Sequence, residues 1–131
     1  MTTLTVSDFS CLSDATFVLA PINVIIGPQG SGKSVTTKLF YFFSQILPGF
    51  SQYAERGESL ESYKRHLTTQ FGVWFPPSAW GKGRFNITYS SGLFSVRILR
   101  RTTKRGVIDE VSISFCEWFS ALYASAVKQY N

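Results

Sequence analysis

The segment Gly27-Pro28-Gln29-Gly30-Ser31-Gly32-Lys33-Ser34 constrains this chain more than any other. It follows Ile22-Asn23-Val24-Ile25-Ile26, a mostly β-branched apolar run of the kind buried on both faces of a sheet, and it leads into a stretch with helical apolar spacing. Strand, glycine loop and helix in that order form a cradle for phosphate. Glycines let main-chain N–H groups from Gly30 to Val35 approach an anion with no Cβ in the way. A helix starting near Ser34 aims its unsatisfied N–H groups and the positive end of its dipole at the same charge. Lys33 is then placed to reach the β- and γ-phosphates, and the Ser34 hydroxyl to reach Mg²⁺. The expected ligands are ATP and Mg²⁺, held by Gly27, Gly30, Ser31, Gly32, Lys33, Ser34 and Val35, with Ser34 the metal contact.

Around this segment the pattern predicts one folded unit. Leu4, Val6 and Phe9 alternate with polar residues, Leu12-Ser13-Asp14 signals a turn, and Thr16 to Leu19 completes a hairpin. Ser34 to Ile46 reads as a helix terminated by Pro48-Gly49, and Ser59 to Phe71 as a second with Gly72 at its C-terminal cap. After the loop Phe75 to Gly83, a meander is expected from Phe85 to Tyr89, Leu93 to Leu99 and Val107 to Phe115, with Ser90-Ser91-Gly92 as a turn. A last helix, Glu117 to Gln129, puts Trp118, Leu122 and Ala126 on one face.

Composition narrows the setting. The 131 residues, 44% of them hydrophobic, suffice for one core, and 13 Lys plus Arg against 8 Asp plus Glu give +5, a charge that permits a polyanionic partner without requiring one. Cys11 and Cys116 lie far apart and His66 is the single histidine, a pattern that fits neither a zinc site nor a disulfide scaffold. No stretch approaches the roughly 20 apolar residues of a membrane span, and Met1-Thr2-Thr3-Leu4-Thr5 lacks the basic start of a secretory signal. The expectation is a soluble, cytoplasmic protein with no membrane partner.

A hairpin, then NVIIGPQGSGKS, then a helix and antiparallel strands is an order that resembles the N-terminal lobe of ABC-type ATPase heads of the SMC, RecF and overcoming-lysogenization-defect kind. The resemblance implies an α/β fold, a P-loop NTPase N-lobe with an antiparallel hairpin and meander packed around the Walker A strand and helix. It implies a single ATP-binding lobe over 1–131: hairpin, Walker A strand, loop and helix in 3–46, a helical segment and aromatic Pro-rich loop in 47–83, a meander and final helix in 84–131. In such heads the Walker A residues bind the nucleotide. Hydrolysis also needs a Q-loop glutamine, a signature motif, a Walker B aspartate with a catalytic glutamate, and a switch histidine, and a complete set is not found here. The expected partners are therefore a missing C-terminal lobe or a second head, in a homo- or heterodimer, with little turnover by this front part alone. Val35 stands where the family often has Thr or Ser, which removes one hydroxyl near the α-phosphate. A small P-loop phosphotransferase and a non-catalytic nucleotide-dependent interaction module are the alternative readings. The process, whether DNA repair, chromosome organisation or phage defence, is not encoded in such a motif.

Other features have competing explanations. Asp109-Glu110 imitates a Walker B pair, but the alternation running on through Val111 and Ile113 reads better as a hairpin strand, so no catalytic residue is assigned. Gln70 is placed for a Q-loop yet sits in a helical pattern. Arg97, Arg100, Arg101, Lys104 and Arg105, with Lys82 and Arg84, could line a groove for DNA, although a hairpin tip is where charges are solvated in any case. Trp74, Phe75 and Trp80 flank Pro76-Pro77 and suit either base stacking or loop anchoring. Trp118, Phe119, Tyr123 and Tyr130 are spread around the last helix, which would leave aromatic surface for a partner.

Overall fold

A computed structural model describes residues 2–10, 12–19 and 33–130. The apolar run Ile22 to Ile26 and the loop residues Gly27, Gly30, Ser31 and Gly32 lie outside the described residues. In order the elements are β1 (Thr2–Phe9), β2 (Leu12–Leu19), α1 (Lys33–Ser44), α2 (Ile46–Glu55), α3 (Leu60–Trp74), a 3₁₀ turn at Pro77–Ala79, β3 (Asn86–Ser91), β4 (Phe94–Thr103), β5 (Gly106–Phe115) and α4 (Glu117–Tyr130).

Among the described residues the strands form one five-stranded sheet in the order β2-β1-β3-β4-β5, every neighbouring pair antiparallel. This corrects the expected fold class. The described molecule is α+β, with helices packed on an antiparallel sheet, and not the α/β lobe of a P-loop NTPase built around a parallel sheet. Hairpin and meander are not separate pieces around a central strand: Leu4 pairs with Tyr89 and Val6 with Ile87, so β1 joins directly to β3. Alternation accounts for this union. Leu4, Val6, Ile87, Tyr89, Val96, Ile98, Val111 and Ile113 are buried on one face, whereas Thr5, Arg97, Ser112 and Ser114 of the other face are exposed. A shared apolar face is buried most fully as one sheet.

The helices cover that face with aromatic rings. Phe43 of α1 stacks on Tyr89 at 5.2 Å, Phe71 of α3 meets Phe9 at 5.7 Å, and Phe119 of α4 meets Phe94 at 5.2 Å. Such contacts add to a large area of buried ring surface.

Several local expectations are corrected. Pro48-Gly49 does not end the helical region. α1 stops at Ser44 and α2 begins at Ile46, so Pro48 falls in the first turn of α2, where an N–H has no intrahelical acceptor to lose. Gly72 lies inside α3 and not at its cap. The helix runs to Trp74 and stops at Phe75, held extended (φ −131°, ψ 87°) by the following Pro76. Its start is conventional: the Ser59 hydroxyl accepts from the Ser62 amide at 3.1 Å. The first hairpin reverses before Leu12, since Phe9 pairs with Leu12 and β2 runs unbroken through Ser13 and Asp14. Between β3 and β4, Gly92 adopts φ 60°, which an L side chain resists, and Ser91 pairs with Phe94 across it. The face of α4 is also rotated: Phe119 and Tyr123 are buried while Trp118 is 39% exposed.

Candidate functional site

Of the residues expected to bind phosphate, Lys33 and Ser34 are the first two residues of α1, and Val35 is half-buried against the core. The helix therefore begins where the glycines end. Its first turn holds no acidic residue, so the positive end of the helix dipole is not neutralised from within. One turn on, Lys38 donates from Nζ to the Trp74 carbonyl at 3.0 Å and lies 5.4 Å from the Phe75 ring. A cation at the C-terminal end of α3 is favourably placed, and Lys38 is engaged in holding α1 to α3.

The acidic pair is engaged as well. Asp109 Oδ1 accepts from Arg100 Nη2 at 2.9 Å and Glu110 Oε2 from Arg101 Nη1 at 3.2 Å, both on the β4–β5 hairpin. Among the described residues no group of three or more His, Cys, Asp or Glu side chains could hold a metal ion.

The basic cluster separates into two populations. Arg100 is buried, its side chain 6% exposed. Its Nε donates to Ile108 O at 3.0 Å, its Nη1 to Gly81 O at 2.9 Å and Gly83 O at 3.1 Å, and its guanidinium lies 5.3 Å from the Trp80 ring centre. Arg100 thus clamps the loop after α3 onto the β4–β5 hairpin, its guanidinium committed to these partners. Lys82, Arg84, Arg97, Lys104 and Arg105 remain exposed. Strand alternation contains the signal: Phe94, Val96, Ile98 and Arg100 are successive inward positions of β4.

The loop aromatics are likewise structural. Phe75 and Trp80 are buried, with Trp80 Nε1 donating to Phe75 O at 2.7 Å, and Trp74 stacks on Tyr41 at 5.4 Å. Cys116 sits immediately before α4. Burial raises its thiol, but amide hydrogen bonds from Phe119 and Ser95 outweigh this and bring the pKa below its ordinary value.

The helical layer also carries a cleft that the residue pattern did not reveal. Gln70, singled out as a Q-loop candidate, is on its rim with Gln45, Gln52 and His66. The cleft encloses about 250 Å³, and its floor includes the buried Phe42, Tyr63 and Leu67. Tyr63 is fixed by donating to the Ile46 carbonyl at 2.6 Å, and burial pushes its phenol well above the ordinary range. A residue gap of this kind is invisible to periodicity because it depends on how three helices cross.

No protein-family model matches the chain, and neither a curated protein nor a solved structure shows significant similarity to it. No described helix is long and apolar enough to cross a membrane.

Proposed function

We propose that the chain binds a nucleoside triphosphate with Mg²⁺ through Gly27 to Val35. One observation carries the reading: GPQGSGKS runs directly into a helix that starts at Lys33 and has no acidic residue in its first turn. Amide donors of a glycine loop and the head of a helix suit a polyphosphate. Lys33 would hold the β- and γ-phosphates and Ser34 the metal, whose role when bound is to neutralise phosphate charge.

The motif's resemblance to the Walker A of ABC and SMC-type heads supports a nucleotide-gated role, with hydrolysis completed by acidic and signature residues from a second lobe or head. Asp109 and Glu110 do not supply them, because both are ion-paired on a hairpin strand. The reading is thus of binding coupled to assembly, with little turnover by this chain alone.

Calorimetric titration with MgATP tests it. The intact chain is expected to bind saturably, and Lys33→Ala to lose at least tenfold in affinity, as roughly 1.4 kcal/mol of lost phosphate attraction requires. Equal binding by Lys33→Ala would reject the assignment.

A further inference from the structure

We propose that the outward face of the sheet, together with the loop 81–84 at its end, is a binding surface for the phosphate backbone of double-helical nucleic acid, distinct from the segment Gly27 to Val35. Charge is the first support. Residues 81–116 hold seven of the 13 Lys and Arg but two of the 8 Asp and Glu, so this part of the chain carries the entire net charge of +5. Lys82, Arg84, Arg97, Lys104 and Arg105 are exposed, and none forms an ion pair among the described residues. From Arg97 through Arg101 to the turn after Thr103, cations are strung over about 20 Å of β4, at roughly 3.3 Å per residue. That length suits a polymer of phosphates and exceeds what one triphosphate spans.

The loop is directed at an anion by its own backbone. Arg100 Nη1 draws the carbonyls of Gly81 and Gly83 inward. Across a trans peptide the N–H points opposite to the carbonyl, so the N–H groups of Lys82 and Arg84 are turned away from the guanidinium. Neither N–H has an acceptor among the described residues. Main-chain donors beside cationic side chains are groups that hold phosphate oxygens. The loop borders a depression of about 510 Å³, and a second of about 380 Å³ shares Asp8 and Arg84 with it and continues past Asn86 and Leu99 onto the sheet.

The chemistry of the sheet surface selects a duplex. Thr5, Thr88, Arg97 and Ser114 form one row across β1, β3, β4 and β5, hydroxyls on either side of a guanidinium. The exposed aromatic residues Tyr41 and Trp118 belong to helices, so the described sheet surface offers no ring for a base to stack on. Single strands are held largely by such stacking, whereas a duplex is gripped through its phosphates by Lys, Arg, hydroxyls and backbone N–H groups. Asp8 is the carboxylate that borders both depressions, and it opposes the ligand. Its φ of 56° is one that Asn also adopts, which makes Asp8→Asn a clean removal of that charge.

Fluorescence anisotropy of a labelled DNA duplex of about 20 base pairs, titrated with the whole chain from about 50 to 200 mM salt, tests the surface. Saturable, sequence-independent binding is expected, tighter for the duplex than for a single strand and weakening as salt rises. Lys82→Ala combined with Arg84→Ala should weaken it at least about tenfold at unchanged melting temperature, and flatten the slope of log K against log salt by about 1.8, two phosphate contacts at roughly 0.9 each. Asp8→Asn should tighten it. Arg65→Ala combined with Lys128→Ala removes the same charge from exposed positions on α3 and α4 and should change affinity less than about threefold. Lys33→Ala should keep duplex binding, and the chain altered at Lys82 and Arg84 should keep MgATP binding, so this surface and the triphosphate site fail independently. Absence of saturable binding, tighter binding of a single strand, undiminished binding after the change at Lys82 and Arg84, weaker binding by Asp8→Asn, or an equal loss in the α3 and α4 variant or in Lys33→Ala would overturn the proposal.

Discussion

Replacing Arg100 by methionine tests what holds the loop after α3 in place. The side chain makes four hydrogen bonds, three of them to the carbonyls of Ile108, Gly81 and Gly83 and one to Asp109. The carboxylate of Asp109 is 70% exposed, so its ion pair belongs to the weak, solvent-screened class worth under about 1 kcal/mol. The carbonyls are a different matter. A hydrogen bond from a charged donor contributes roughly 1.5–3 kcal/mol, and methionine fills much of the volume while supplying no donor. Part of the loss is recovered as water reaches a loosened loop, which leaves an expected cost for Arg100→Met of about 3 kcal/mol. Arg100→Lys should recover less than half of it, since one ammonium cannot span donors facing Gly81, Gly83 and Ile108 together.

Urea unfolding followed by far-UV circular dichroism and tryptophan fluorescence measures these differences. With a slope near 1.5 kcal/mol per molar urea, Arg100→Met should lower the midpoint by about 2 M, and Asp109→Asn by less than about 0.7 M. Tryptophan emission should redden in Arg100→Met, because the guanidinium lies against the Trp80 ring. Equal shifts for both variants would show that the ion pair and not the carbonyl clamp secures the loop. A shift under about 0.5 M for Arg100→Met would show that packing around Trp80 suffices.

Two further outcomes follow from the core. Phe119→Ala should cost about 3–5 kcal/mol and Trp118→Ala under about 1, read by the same urea titration, because Phe119 is fully buried against Phe115 and Phe94 while Trp118 is partly exposed. Burial raises the phenols of Tyr63, Tyr89 and Tyr123 above their ordinary value of about 10. A raised folded-state pKa leaves stability intact below pH 10 and removes it as pH rises further, since the unfolded chain ionises first. Melting temperatures should therefore hold level to about pH 10 and fall beyond it, less steeply in Tyr63→Phe; a flat profile through pH 11.5 would contradict the burial argument.

Much of the sheet was legible because alternation is a local property. β3, β4 and β5 fall on the stretches where apolar and polar residues change places, and Gly92 marks the reversal between the first two of them. The pairing of β1 with β3 was not legible, since it joins Leu4 to Tyr89 across a large sequence separation and depends on which apolar faces merge. α2 was missed for a chemical reason: Pro48-Gly49 is a strong stop signal in a helix interior and a harmless pair in a first turn. The burial of Arg100 went unread because its charge outweighed its position, although the inward parity of Val96 and Ile98 continues straight into it. Of the segment expected to bind phosphate, only Lys33, Ser34 and Val35 fall among the described residues, where they open α1.

α1 joins the core to the segment proposed to bind phosphate. Within α1, Thr36 is buried and Val35 packs against the core in the first turn, and the rings of Phe40, Phe42 and Phe43 pack on Tyr89 and Phe71. Lys38 fastens α1 to the end of α3. α1 is thus anchored in its first turn through Val35 and Thr36 and further along through its rings and Lys38. On the proposed reading, in which Lys33 attracts phosphate, Lys33→Ala should lose MgATP affinity while its thermal unfolding without ligand remains within about 0.5 kcal/mol of the parent chain.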